Sequence, residues 1–107
     1  MAIDLSAATA PISFHRVTLH ATAGNLDVLT LPRWVKQLTI RAAGTGSVKV
    51  SHTGNQDAAI SATLLHTVPV GDSVTLRSVQ LSNYPIRLTG SVNSDAAELI
   101  LESELHG

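Results

Sequence analysis

The chain has 107 residues and no cysteine, which fits one domain with its own core and excludes disulfide frameworks and thiolate chemistry. Seven basic and eight acidic side chains leave a net charge of −1, so there is no positive field to attract nucleic acid or anionic lipid. No apolar run approaches the roughly 18 residues of a transmembrane helix. We therefore expect neither a nucleic-acid nor a membrane partner.

The first segment, Met1–Pro11, has no sustained hydrophobic period and is rich in Ala, Ser and Thr. It predicts a flexible or extended N-terminal arm before a single domain over residues 12–107. Ile3 and Leu5 are the apolar anchors with which such an arm would bind a neighbouring subunit. The segment lacks the basic start and apolar core of a signal peptide, so we expect no secretion by that route.

Two strands are predicted next, over Ile12–Ala21 and Leu26–Leu31. In the first, Ile12 and Phe14 occupy even positions, whereas Val17 and Leu19 occupy odd positions. On a regular strand the two pairs would therefore lie on opposite faces. That switch predicts a β-bulge or two short strands, with Phe14 pointing inward.

The strongest alternation in the chain lies in Trp34–Ala42 and Ser47–His52, on either side of Gly44-Thr-Gly46. Two runs of period two joined by a Gly-rich break predict a β-hairpin. Its core residues would be Leu38, Ile40, Val48 and Val50, and its turn glycines would serve positive φ angles.

The second half of the chain contains three further alternating runs, Ser73–Val79, Tyr84–Thr89 and Ala97–Ser103. An earlier run, Ala58–Leu65, fits both a short helix and a strand. In the last run Leu99 and Leu101 point inward, while Ile100 shares the outer face with the flanking glutamates. An apolar residue on that face is a candidate contact.

About eight short strands with no long amphipathic helix predict an all-β fold, an antiparallel β-sandwich of jelly-roll-like type. Charged residues make up only 14% of the chain, against roughly 25% in ordinary soluble domains. A weakly charged surface suits a subunit that its neighbours cover. We expect a homo-oligomer, with a trimer as the first expectation.

Enzyme motifs are missing from the sequence: it has no Gly-x-Ser-x-Gly elbow and no phosphate-binding glycine loop before a helix. None of the histidines has metal-ligand spacing. We expect no enzymatic activity, no metal and no cofactor. One alternative is a cupin-type metal centre assembled from distant strands, with ligands among His15, His20, His52 and His66.

Trp34, directly after Arg33, is the one candidate aromatic platform for a sugar ring. The competing interpretation is that Trp34 closes one end of the core. A small carbohydrate-binding module is therefore a second alternative.

A Leu-Pro, strand, Gly-Thr-Gly turn and strand over Leu31–His52 are followed by Pro-x-Gly-x-Ser-Val-Thr-Leu within Val68–Leu76 and by a last strand pair over Ile86–Leu101. This order resembles small all-β virion structural proteins of tailed bacteriophages. The resemblance implies a capsid decoration (cement) protein that binds the major capsid protein or another virion protein, or alternatively a tail or head–tail component. The expected location is the virion, after assembly in the host cytoplasm. The expected interaction residues are Ile3, Leu5, Trp34 and Ile100.

Overall fold

The structure, a computed structural model, describes residues 2–51, 66–78, 81–83 and 86–104. These residues form nine strands and one 3-10 turn, Leu81–Asn83. The strands are β1 (Ala2–Asp4), β2 (Ile12–Thr18), β3 (Asp27–Thr30), β4 (Gln37–Ala42), β5 (Val48–Ser51), β6 (His66–Val68), β7 (Ser73–Arg77), β8 (Ile86–Gly90) and β9 (Ala96–Glu102). The expectations for Ala58–Leu65, for His52 and for Tyr84 fall outside the described residues. Within the described ranges, no helix is both long enough and apolar enough to cross a bilayer.

The strands form two sheets, a five-stranded sheet in the order β1-β3-β8-β5-β6 and a four-stranded sheet in the order β2-β9-β4-β7. The antiparallel pairs β2–β9, β3–β8, β4–β7 and β5–β6 are nested inside one another. Such nesting is what results when one long antiparallel hairpin is rolled into two facing sheets, which is the jelly-roll arrangement. The predicted all-β, antiparallel, jelly-roll-like sandwich is confirmed.

The core lies between the two sheets and is formed by side chains at every second position of a strand, which point to the same face. In β9 the residues alternate between half-buried and buried, with Ala97, Leu99 and Leu101 fully buried. The predicted core residues Leu38, Ile40, Val48 and Val50 are also fully buried. Parity therefore identified the inward side chains of β4, β5 and β9. In β8, by contrast, all five residues are buried, including Arg87, which the alternation placed outward.

The predicted hairpin over Trp34–Ala42 and Ser47–His52 is wrong as a pairing. β4 pairs with β7 and β9 in one sheet, and β5 pairs with β6 and β8 in the other. The chain crosses between the sheets at Gly44–Gly46 instead of folding back. Period two indicates that a segment is a strand, but it does not indicate the neighbour of that strand.

The glycines of this crossing make room for the buried side chain of Asp95, which is 3% exposed. Asp95 Oδ1 accepts a hydrogen bond of 2.9 Å from the Ala96 backbone N–H. A Cβ on Gly44 would overlap Oδ1, whereas a Cβ on Gly46 would overlap Ser91 Oγ and lie 3.0 Å from Asp95 Oδ2. Among the glycines of the described residues, positive φ angles occur instead at Gly24 and Gly71. Close approach, and not the predicted positive φ, explains glycine at 44 and 46.

The N-terminal segment is extended and belongs to the chain's own domain. β1 runs parallel to β3, with Ala2 opposite Val28 and Asp4 opposite Thr30. Ile3 is 8% exposed and lies in the core. Ile3 is thus used within the fold, in place of the expected contact with a neighbouring subunit.

β2 is regular, and the predicted bulge is wrong. Its register with β9 runs without interruption from Ile12 opposite Glu102 to Thr18 opposite Ala96. The expected inward position of Phe14 is also wrong, since 69% of this residue is exposed. The inner parity carries Ser13 and His15, whose side chains satisfy each other through a hydrogen bond of 2.6 Å between Oγ and Nε2.

Candidate functional site

The outer face of the four-stranded sheet combines charged and apolar side chains in three rows that run across all four strands. Because successive side chains alternate between faces, residues paired across the sheet lie side by side on the same face. We call these the first, middle and third rows. Their members, read from β2 to β7, are Ile12, Glu102, Gln37 and Arg77; Phe14, Ile100, Thr39 and Thr75; and Arg16, Glu98, Arg41 and Ser73.

In the third row, one carboxylate lies between two guanidinium groups. Arg41 contacts Glu98 at 3.1 Å, and Arg16 contacts the other oxygen of the same carboxylate at 3.9 Å. The two arginine side chains are 62% and 56% exposed, so each pair contributes at most about 1 kcal/mol to stability. Two arginines and one glutamate leave this row with an excess of one positive charge.

The first row is a chain of hydrogen bonds. Arg77 Nε donates to Gln37 Oε1 at 3.0 Å, and Gln37 Nε2 donates to Glu102 Oε1 at 3.2 Å. Gln37 is 6% exposed, so its amide is held in one orientation between two charged neighbours. The row ends at Ile12 on β2.

The middle row is the apolar part of the face. Phe14 stands at its edge, Ile100 is half-buried beside it, and the Thr39 and Thr75 hydroxyls are 3.2 Å apart at the far end. A groove of about 440 Å³ runs along this row and the third row, between Phe14 and Ser73. An exposed aromatic ring beside a half-buried aliphatic side chain, with charged rows on both sides, is typical of a binding surface.

Of the residues expected to make contacts, Ile100 lies on the outer face as predicted. Leu5 is half-buried against the core, and its backbone N–H donates to Thr30 O at 2.9 Å. Trp34 also packs against the core, and its indole N–H donates to Ala8 O at 2.9 Å. Trp34 therefore anchors the N-terminal segment, and its N–H is already used within the chain.

Two of the histidines named for a metal centre, His15 and His20, make hydrogen bonds within the chain. His15 bonds Ser13, and His20 Nδ1 accepts a 3.0 Å hydrogen bond from the Thr22 backbone N–H. His66 is exposed on β6. Among the described residues, no group of three or more His, Asp or Glu side chains is arranged to hold a metal ion.

Sequence reasoning missed Phe14 and Arg16 as members of this face. The available signal was that Ile12, Phe14, Arg16 and Thr18 occupy the even positions of one regular strand and therefore share one face. This assignment requires polar side chains on the opposite face, which points inward. Edge strands accept such polar inward residues more readily than central strands, because one side of the strand borders solvent.

Neither a family model nor a curated protein matches this chain. Among solved structures, the crystal structure of protein NMB1881 from Neisseria meningitidis resembles it with a TM-score of 0.52. The two chains are 17% identical, and the match covers 89% of this chain and 78% of the other. At that identity the likeness concerns the fold alone, and it agrees with a two-sheet β-sandwich.

Proposed function

We propose that this protein is a non-enzymatic virion structural protein, a capsid decoration (cement) protein that binds shell subunits through the outer face of its four-stranded sheet. The observation that carries the proposal is the middle row, in which the exposed Phe14 and the half-buried Ile100 stand between two charged rows. Aromatic residues are enriched in protein–protein interfaces relative to the rest of the surface, so an exposed Phe beside a second apolar side chain suits a contact with a partner.

The sequence supports the same role. The resemblance to small bacteriophage β proteins and the low charged fraction of 14% both suit a subunit within an assembly. Double-sheet jelly rolls occur in viral capsid proteins as well as in lectins and cupins, so the fold is compatible with this role by analogy.

The mechanism we propose is the cooperative use of many weak contacts. Fully burying a Phe side chain contributes about 1.5–3 kcal/mol, too little to hold one subunit firmly on a shell. Repetition of the same contact on an oligomer raises the effective affinity through avidity. The charged rows fix the orientation, because a partner must place groups of opposite sign beside Arg16 and Arg41.

The test is cosedimentation of the purified protein with shells of the phage that encodes it, assembled without it. We expect saturable binding, and we expect Ile100→Ser to weaken it by about tenfold because an apolar contact in the middle row is removed. Val28→Ser is the matched control, since Val28 is 43% exposed on the five-stranded sheet. Absence of binding to shells, or equal loss in both variants, would refute the proposal.

A tail or head–tail location is the alternative, and purified tails in the same assay separate it from shell binding. The carbohydrate-binding alternative loses support from Trp34, whose indole N–H already bonds Ala8.

A further inference from the structure

β2 is the longest open edge in the described part of the fold. The four edge strands are β1 and β6 with three residues each, β7 with five and β2 with seven. Proteins usually protect such an edge with a short strand, a proline, a bulge or charged side chains, especially lysine. Ile12–Thr18 contains no proline or lysine, its register with β9 has no bulge, and its one arginine, Arg16, lies beside Glu98.

The backbone of β2 directs half of its polar groups toward this open edge. Pro11 O accepts a hydrogen bond from the Ser103 N–H at 2.9 Å, and the Leu19 N–H donates to Asp95 O at 2.7 Å. The odd-numbered residues therefore bond to β9. Since direction alternates along an antiparallel strand, the even-numbered residues of β2 point their N–H and C=O groups outward, where no strand of the described chain pairs with them.

We propose that a second copy of this chain pairs antiparallel with β2, across a two-fold axis at His15, and joins the two four-stranded sheets into one sheet of eight strands. In this register Ile12 faces Thr18 of the second copy, and Phe14 faces Arg16 of the second copy. In each strand, all four residues whose backbone N–H and C=O groups point to the open edge then have a partner, which gives about eight backbone hydrogen bonds. A shift that places Phe14 opposite itself leaves Thr18 beyond the paired strand and loses about two of these bonds.

The side chains favour the same register. Arg16 already lies beside Glu98 in the third row, and the pairing places it directly opposite Phe14 of the second copy. The guanidinium group can then rest on the exposed ring, a cation–π contact that occurs twice across the axis. The third row of one copy thereby continues into the middle row of the other, so the rows join at the interface.

This inference deepens the assembly role proposed above and specifies it as a two-fold dimer, in place of the trimer expected from the sequence. It can fail while shell binding holds, because its tests use the isolated protein in solution. Conversely, the dimer can exist in a protein that binds no shell.

The first test uses the absence of cysteine from the chain. In the proposed register, His15→Cys places two thiols in a non-hydrogen-bonded pair with Cα atoms about 4.5 Å apart, within reach of a disulfide. Ser13→Cys is the matched control, since its two thiols are displaced by four residues, about 13 Å. Under mild oxidation we expect a covalent dimer from H15C and little from S13C. Faster cross-linking of S13C, or none in either folded variant, would overturn the register.

The second test measures native mass against concentration for the unmodified protein, Arg16→Ala and Arg41→Ala. Both arginines contact Glu98, but only Arg16 lies on β2. We expect a reversible dimer whose dissociation constant rises about tenfold in R16A, through loss of two cation–π contacts, and stays within about twofold in R41A. A monomer at all concentrations, a trimer, or equal effects of the two substitutions would contradict the proposal.

Discussion

The substitution Gly44→Ala tests why glycine occupies the crossing between the two sheets. The added Cβ would overlap Asp95 Oδ1 and would lie 2.8 Å from the Ala96 backbone N. The hydrogen bond between these two atoms is 2.9 Å long. The carboxylate must therefore move, and it loses its backbone donor when it does.

The expected loss of stability has two parts. Overpacking a tight site costs about 1–3 kcal/mol, and losing a hydrogen bond to a buried charged group costs about 1.5–3 kcal/mol. Together we expect about 2.5–6 kcal/mol, a large share of the roughly 5–15 kcal/mol that stabilises a domain. Gly24→Ala is the control: Gly24 has a φ of +86° and no atom within 4 Å of the added Cβ, so only backbone strain of about 1–2 kcal/mol applies.

The assay is urea unfolding of both variants, of Asp95→Ala and of the Gly44→Ala/Asp95→Ala pair. Once the carboxylate is gone, Gly44→Ala should cost about 1–2 kcal/mol less than in the unmodified chain, because Ala96 N remains close while Oδ1 does not. If Gly44→Ala costs no more than Gly24→Ala, or if the two substitutions at 44 and 95 are additive, the explanation by close approach is wrong.

Three further predictions concern β9, the third row and the N-terminal segment. Leu99→Ala should cost about 3 kcal/mol in urea unfolding, since Leu99 is fully buried, whereas Ile100→Ala should cost less than about 1 kcal/mol; equal values would contradict the two-faced strand. Glu98→Gln should lower stability by less than about 1 kcal/mol, with a difference that shrinks in 1 M salt. Hydrogen bonds from the Ser6 hydroxyl first, and from the Ser6 backbone N–H second, hold the pKa of the Asp4 carboxyl below 3.8. The stability that these bonds to the ionised carboxylate contribute is present above pH 3.8 and is lost as the pH falls through the lowered pKa. In an NMR titration, Ser6→Ala should raise the pKa of Asp4 toward 3.8.

The inward side chains of β4, β5 and β9 could be predicted from the sequence because the apolar residues of these strands stand at every second position. In β9, burial follows parity alone, so Leu99 and Leu101 were placed inward and Ile100 outward correctly. The jelly-roll class followed from the number and spacing of such strands.

The candidate site was predicted only in part, because its exposed edge belongs to β2. Both parities of that strand carry apolar side chains, Ile12 and Phe14 on one and Val17 on the other, so hydrophobicity alone did not decide which faces the core. The pairing partner was equally hidden from local reasoning, because Ile12 lies opposite Glu102 near the other end of the chain. For the same reason, the glycines at 44 and 46 suggested a hairpin, although the residues they accommodate, Asp95 and Ser91, are far away in sequence.

The nested strand order also governs when the protein can fold during synthesis. β2 cannot complete its sheet until β9 has been made, and Glu102 follows Thr18 by 84 positions along the chain. At translation rates of about 5–20 residues per second, this delay is about 4–17 s. Closure of such distant pairs is also slow in itself, on the scale of milliseconds to seconds. During that interval β2 has neither edge paired, so Phe14 and its neighbours depend on the speed of translation, or on a chaperone, to reach β9 before they reach another unfinished chain.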